Sequence, residues 1–259
     1  ISGQGDSATI NGGTFQTSKV KSHGIYMPLS STILDATGVN ILTHGGSSHG
    51  IMAGGKVNLT DATLLTSGSG SYGLYATVSY SYAGNVTGNG ITVNTSGEQG
   101  YGVRAAQGAI IDLNNSNITT SNAQAYGAVA SDAGVLTLTN SAITTAGEFS
   151  VGTYLTRSGK LTLHDTQINT SGDSAYGILA MTNSTATLVN PAITTSGKEA
   201  HGVAATASSV VTITGGEIVT TGEGTGGIYA GSAATVTAAN VAVTASGNNA
   251  FGLIANLGN

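Results

Sequence analysis

One interval governs this chain. A Gly followed by a mostly aliphatic residue recurs at Gly102-Val103, Gly127-Ala128, Gly152-Thr153, Gly177-Ile178, Gly202-Val203, Gly227-Ile228 and Gly252-Leu253, each step being 25 residues. Upstream the same element stands at Gly24-Ile25, Gly50-Ile51 and Gly73-Leu74, and the steps there are 26, 23 and 29 residues. Nine residues before each Gly lies an apolar residue: Phe15, Ile41, Leu64, Val93, Ile118, Ile143, Ile168, Ile193, Ile218 and Val243. That offset never changes, so all length variation falls in the other part of the repeat. A coil with two fixed sides and one corner that tolerates insertion behaves this way.

Residues 176–200 show the internal plan. Tyr176-Gly177-Ile178-Leu179-Ala180, Thr185-Ala186-Thr187-Leu188-Val189 and Ala192-Ile193-Thr194-Thr195 are short alternating runs, bounded by Asn, Ser and Gly. Period-2 alternation over such lengths predicts three strands per repeat, and no segment carries a helical period. The fold class is therefore all-β: a single right-handed parallel β-helix over 1–259, of about ten three-strand coils. The handedness follows from the general preference of parallel crossovers. At about 4.8 Å per coil the shaft is about 48 Å long. Ile1 and Asn259 both fall inside repeats, so the chain reads as a fragment of a longer one.

Stacked coils put equivalent residues over one another. Ile178, Val203, Ile228 and Leu253 form one expected inward column, and Ala180, Ala205, Ala230 and Ala255 a second. Leu113, Leu138, Leu163, Leu188 and Ile213 form a third, and Ile118 to Val243 a fourth. Asn115, Asn140, Asp165, Asn190 and Asn240 mark the corner between second and third strands. Asn tolerates left-handed backbone there, and stacked amides could form a ladder through the corner. Gly147, Gly172, Gly197, Gly222 and Gly247 mark the next corner, where positive φ is expected.

Composition narrows function. Charged residues are 7% of the chain, the formal net charge is −5, and the seven Lys and Arg do not cluster. This argues against nucleic acid and anionic membrane surfaces as partners. There is no Cys, hence no disulfide framework or cysteine metal site, and no apolar run long enough to span a bilayer.

Repeats such as Ile168-Asn-Thr-Ser-Gly-Asp-Ser-Ala-Tyr-Gly-Ile-Leu-Ala180 and Ile193-Thr-Thr-Ser-Gly-Lys-Glu-Ala-His-Gly-Val-Ala-Ala205 resemble the pertactin-like passenger domains of autotransporters, over nearly the whole chain. The resemblance implies export from a Gram-negative bacterium through type V secretion, a place at the cell surface, and an adhesive role. Partners implied are another copy on a neighbouring cell, as in biofilms, or host glycans and extracellular matrix proteins. No catalytic, metal or cofactor site is expected.

Candidate contact residues come from the outward position of the first strand, which reads Tyr26, Met52, Tyr75, Arg104, Val129, Tyr154, Leu179, Ala204, Tyr229 and Ile254. Alternation turns these to solvent, and exposed aromatics suit sugar or protein contact. Tyr26, Tyr75, Arg104, Tyr154 and Tyr229 are the expected contacts. Tyr80 and Tyr82 join them, in an insertion over 77–89 that lengthens one coil by four residues. His23, His49 and His201 share a column with Tyr72, Tyr101, Tyr126, Tyr176 and Phe251, which predicts packing at the strand start; a metal shared by His23 and His49 is the sharper alternative. The stripe Glu98, Glu148, Asp173 and Glu223, interrupted by Lys198, reads as solvated turn residues. Two further function classes stay open: a carbohydrate-active lyase or hydrolase, which needs paired carboxylates, and an ice-binding solenoid. The latter would use the outward rows of Thr137, Thr162, Thr187, Thr212 and Thr237 with Thr139 and Thr214, which Asp112, Asn114, His164 and Val189 interrupt.

Overall fold

The computed structural model describes residues 6–29, 31–79 and 82–256. The chain winds into three parallel sheets of ten strands each, one sheet for each strand of the repeat. Among the described residues no helix is long and apolar enough to cross a membrane. The repeat interval is the strand register: Ile178 pairs with Val203, Leu138 with Leu163 and Ile143 with Ile168. The irregular steps are also registered, with Ile25 on Ile51, Ile51 on Leu74 and Leu74 on Val103.

One continuous apolar cluster fills the interior from Met27 to Ile228. Most of the expected columns lie in it: Leu113, Leu138, Leu163, Leu188 and Ile213 are buried, as are Ile118, Ile143, Ile168, Ile193, Ile218, Ile178, Val203 and Ile228. Each of these buried side chains contributes about 1.5–3 kcal/mol. Leu253 and Ala255, expected inward, are instead exposed on the last described strand, which pairs with a neighbour on one side only. The Gly of the repeat is required by this packing. A Cβ on Gly102 would overlap Ile118 Cγ2 of the next coil, and one on Gly177 would lie 2.5 Å from both Ile193 Cγ2 and the Gly202 carbonyl oxygen.

The corners differ from the sequence expectation in two respects. Asn115, Asn140, Asp165, Asn190 and Asn240 do have positive φ, between 47° and 56°. Among the described residues, however, the expected ladder is present in one rung, Asn190 Nδ2 donating to Asp165 Oδ1 at 3.2 Å at the surface, while Asn115 bonds instead to Asn89, one position off the column. The other correction concerns Gly147, Gly172, Gly197, Gly222 and Gly247, none of which has positive φ. Glycine is needed there because the backbones of successive coils touch: a Cβ on Gly197 would overlap the carbonyl of Gly172. The left-handed residue comes two positions later, at Phe149, Ser174, Glu199, Gly224 and Asn249.

A buried Thr ends most third strands and ties the same corner. Thr145, Thr170 and Thr195 donate from Oγ1 to the carbonyls of Ser150, Ala175 and Ala200, each at 2.7 Å. These bonds satisfy inward carbonyls that would otherwise be orphaned. The insertion after Leu74–Ala76 forms an antiparallel pair, Val78–Ser79 with Tyr82–Ala83. Tyr80 lies outside the described residues.

Candidate functional site: an aromatic face on the first-strand sheet

The outward row of the first-strand sheet is a true ladder. Tyr26 pairs with Met52, Met52 with Tyr75, Tyr75 with Arg104, Arg104 with Val129, and Val129 with Tyr154. The row continues through Leu179 and Ala204 to Tyr229 and Ile254.

The expectation that these side chains stand free in solvent is corrected. Tyr26 is 54% exposed, but Tyr75, Arg104, Tyr154 and Tyr229 are half-buried, and Val129 and Ala204 are buried. The reason is the neighbouring column, which the sequence assigned to packing. Coil spacing places its flat rings at stacking distance. His23 stacks on His49 with centroids 4.9 Å apart, His49 on Tyr72 at 4.6 Å, Tyr72 on Tyr101 at 4.7 Å and Tyr101 on Tyr126 at 4.9 Å. The outward row leans onto this stack. Tyr75 meets His49 and Tyr72 edge-on, and Tyr154 tilts over Tyr126 at 5.1 Å. Farther along, Tyr176 stacks on His201 at 5.2 Å, and Tyr229 covers the other face of His201 at 5.1 Å, where Gly226 leaves the column without a side chain.

Arg104 is the one cation in the outward row. Its Cζ sits 5.6 Å from the Tyr72 ring centroid and 5.5 Å from that of Tyr75. Its Nη1 donates to Tyr72 Oη at 3.2 Å and its Nη2 to Ser131 Oγ at 3.3 Å. Beside it, Arg157 forms a two-point ion pair with Asp132, whose carboxyl this hydrogen bonding holds below the usual range. Burial pushes the Tyr101 hydroxyl up to about 12, reinforced by Tyr72 and Tyr126. It stays a neutral donor at physiological pH.

Two clefts open on this face where a small outward residue sits between large ones. One, of about 180 Å³, lies over Val129 between Arg104 and Tyr154, with Tyr101, Ser131, Thr156 and Arg157 around it. The other, of about 390 Å³, lies over Ala204, bounded by Tyr176, His201, Tyr229, Leu179, Met181 and Thr206. Ser131, Thr156, Arg157, Met181 and Thr206 were not singled out from sequence, because they fall at or just past the strand end, where alternation no longer orients a side chain.

The histidines have a defined chemistry. His23 Nδ1 accepts the backbone N–H of His49 at 3.0 Å, His49 Nδ1 that of Tyr72 at 3.1 Å, and His201 Nδ1 that of Gly226 at 2.8 Å. Each ring is thereby fixed as the neutral tautomer protonated on Nε2. Burial lowers His49 to about 4, assisted by His23 and Arg104, and burial also lowers His23 and His201. Because the folded values lie below 6.5, the unfolded chain binds more protons between about pH 6.5 and 4, and stability is lost as pH falls through that window. His49 alone should remove about 2 kcal/mol between pH 7 and 4.5. Urea unfolding at the two pH values checks this, and His49→Tyr, which places a non-titrating ring in the stack, should flatten the difference.

The other candidates are dispersed. Lys198 Nζ lies 3.6 Å from Glu223 Oε2, and its backbone N–H donates to Asp173 Oδ1 at 2.9 Å. Among the described residues no group of three or more His, Asp or Glu is arranged to hold a metal ion. Thr137, Thr162, Thr187, Thr212 and Thr237 do form an aligned file on the second-strand sheet, with Asp112 before them.

No protein-family model and no curated protein sequence matches the chain. Among solved structures it is similar to a chain in the cryo-EM structure of the Vag8–C1 inhibitor complex, with TM-score 0.86 and 23% identity over 98% of this chain. It spans 62% of that longer chain. A more distant similarity, to the A-module of the Azotobacter vinelandii mannuronan C-5 epimerase AlgE6, has TM-score 0.41 and 12% identity over 97% of this chain and 91% of that one. The chain thus shares with that solved chain of the Vag8–C1 inhibitor complex the fold of a parallel β-helix, built here from three ten-stranded sheets.

Proposed function

We propose that this chain is the surface-exposed passenger of a Gram-negative autotransporter, and that it acts as an adhesive rod through the aromatic face of its first-strand sheet. Its partners are another copy on a neighbouring cell, or host glycans and matrix proteins. The observation that carries this reading is the face itself. Rings from successive coils form a continuous patch from His23 to Tyr154 and again from Tyr176 to Tyr229. Eight of the chain's ten Tyr belong to this face, and apolar patches left partly open at a surface mark contact sites. The regular shaft supplies reach and rigidity, since each coil is held by the ones on either side of it.

The test is attachment of cells or beads displaying the chain, to each other and to glycan or matrix coatings. Changing Tyr75, Tyr154 and Tyr229 together to Ala should lower attachment at least about ten-fold, as for aromatic anchors at other interfaces. A folded triple variant that attaches like the parent rejects the face as the contact. Turnover of polygalacturonate or a related glycan by the folded chain would replace the adhesive reading with an enzymatic one.

A further inference from the structure

Arg104 poses a chemical question that its own chain does not answer. Its guanidinium is half withdrawn from water, yet among the described residues no carboxylate pairs with it. Its Nε is buried without an acceptor, and its two bonded nitrogens reach only neutral hydroxyls. The nearby carboxylate, Asp132, is already engaged through both of its oxygens by Arg157 Nε and Nη2. A partly buried cation held by rings and hydroxyls retains N–H donors suited to an anion.

We propose that the cleft over Val129 is a seat for the acidic group of a carboxylated or sulfated saccharide lying along the aromatic face. This deepens the adhesive reading and rests on it. The Arg104 fork matches the paired oxygens of a carboxylate or sulfate. Tyr101, Ser131 and Thr156 place hydroxyls around the same space. The cleft holds about 180 Å³, less than a whole small-molecule site, so it admits one substituent of an extended ligand. The larger cleft over Ala204 lies three coils along the row, about 14 Å away. There the stacked Tyr176, His201 and Tyr229 rings, with Leu179 and Met181, wall an apolar hollow for a sugar ring of the same chain.

A peptide is the less suitable occupant. The strands that carry both clefts are paired on each side, so no backbone edge is open to an added strand. The net charge of −5 disfavours a dense polyanion, which limits the seat to isolated acidic groups on an otherwise neutral sugar chain.

Titration of the full chain with a hyaluronan octasaccharide (carboxylated), a κ-carrageenan octasaccharide (sulfated, with about one sulfate per disaccharide) and maltooctaose (neutral) tests this. At least one acidic saccharide should bind about ten-fold or more tightly than the neutral one, and which does so identifies the acidic group. Arg104→Gln keeps a polar side chain but removes the charge and the guanidinium that lies by Tyr72 and Tyr75; it should weaken that binding about ten- to hundred-fold while lowering the melting temperature only modestly. Arg104→Lys should recover only part of it, because a point charge replaces a fork. If Arg104→Gln fails to fold, Arg157→Gln with Thr156→Val at the rim should still weaken binding several-fold.

Equal binding of all three saccharides, or none, overturns the proposal. So does a folded Arg104→Gln that binds like the parent, or equal competition by an octaglutamate peptide. If attachment of chain-coated beads persists through such a failure, the anion seat is wrong and the adhesive reading survives it.

Discussion

Gly197→Ala should destabilise the chain by about 3 kcal/mol or more, an effect at the upper end for a single methyl group. The new Cβ would overlap the carbonyl oxygen and carbon of Gly172, and it also meets the backbone nitrogen of Asp173 at 2.8 Å. All three are backbone atoms tied into the stack. Ser196 N–H donates to Thr170 O at 3.0 Å, and Glu199 N–H to Glu223 O at 2.9 Å, so the corner cannot slide away without breaking bonds to both neighbouring coils. The matched control is Gly224→Asn. Gly224 has φ +69°, and its nearest foreign atom, Glu199 Cγ, is 3.7 Å from a built Cβ. Ser174, Glu199 and Asn249 hold the same conformation in equivalent positions. The Asn variant should therefore change stability by less than about 1 kcal/mol. Urea unfolding of the two variants separates a close-approach glycine from a conformational one. Limited proteolysis should also cut Gly197→Ala near the altered corner, because coils in a linear stack are stabilised by their immediate neighbours.

Ile168→Ala should cost about 2–5 kcal/mol, and Ile168→Val about 0.5–1.5 kcal/mol. Ile168 is fully buried between Ile143 and Ile193, and its Cγ2 occupies the space that Gly152 leaves by having no Cβ. The cavity left by Ala cannot close readily, because both flanking coils are fixed in register by backbone pairing on three sheets. Asn169→Ala, one residue on and exposed, should stay within about 0.5 kcal/mol. Thermal or urea unfolding of the three variants measures the contrast between inward and outward positions on a single strand.

Some features could not have been read from residue types. Arg157 and Ser158, Thr182 and Asn183, and Ala207 and Ser208 are consecutive left-handed pairs at one corner, although Thr, Arg and Ala do not favour that region. Stacking holds them there: Ser158 N–H donates to Thr182 O at 3.0 Å, Asn183 N–H to Ala207 O at 3.0 Å, and Ser208 N–H to Ser232 O at 3.1 Å. The same dependence on the next coil explains the histidines. Nothing local to His49 announces that its Nδ1 will accept a hydrogen bond from Tyr72, 23 residues away.

The spacing of Gly and Ile along the chain determined the coil, its register and the inward columns, because a missing Cβ and a branched side chain fit only when each Ile sits over the Gly of the coil before it. The outward row was legible for the same reason: a period of two assigns faces without reference to distance. Only the assembled stack decided what that row became. Its coil spacing brings rings 23 to 29 residues apart to centroid separations of 4.6–5.2 Å, which buries the tyrosines against their neighbours. The two clefts form where Val129 and Ala204 are too small to continue the surface.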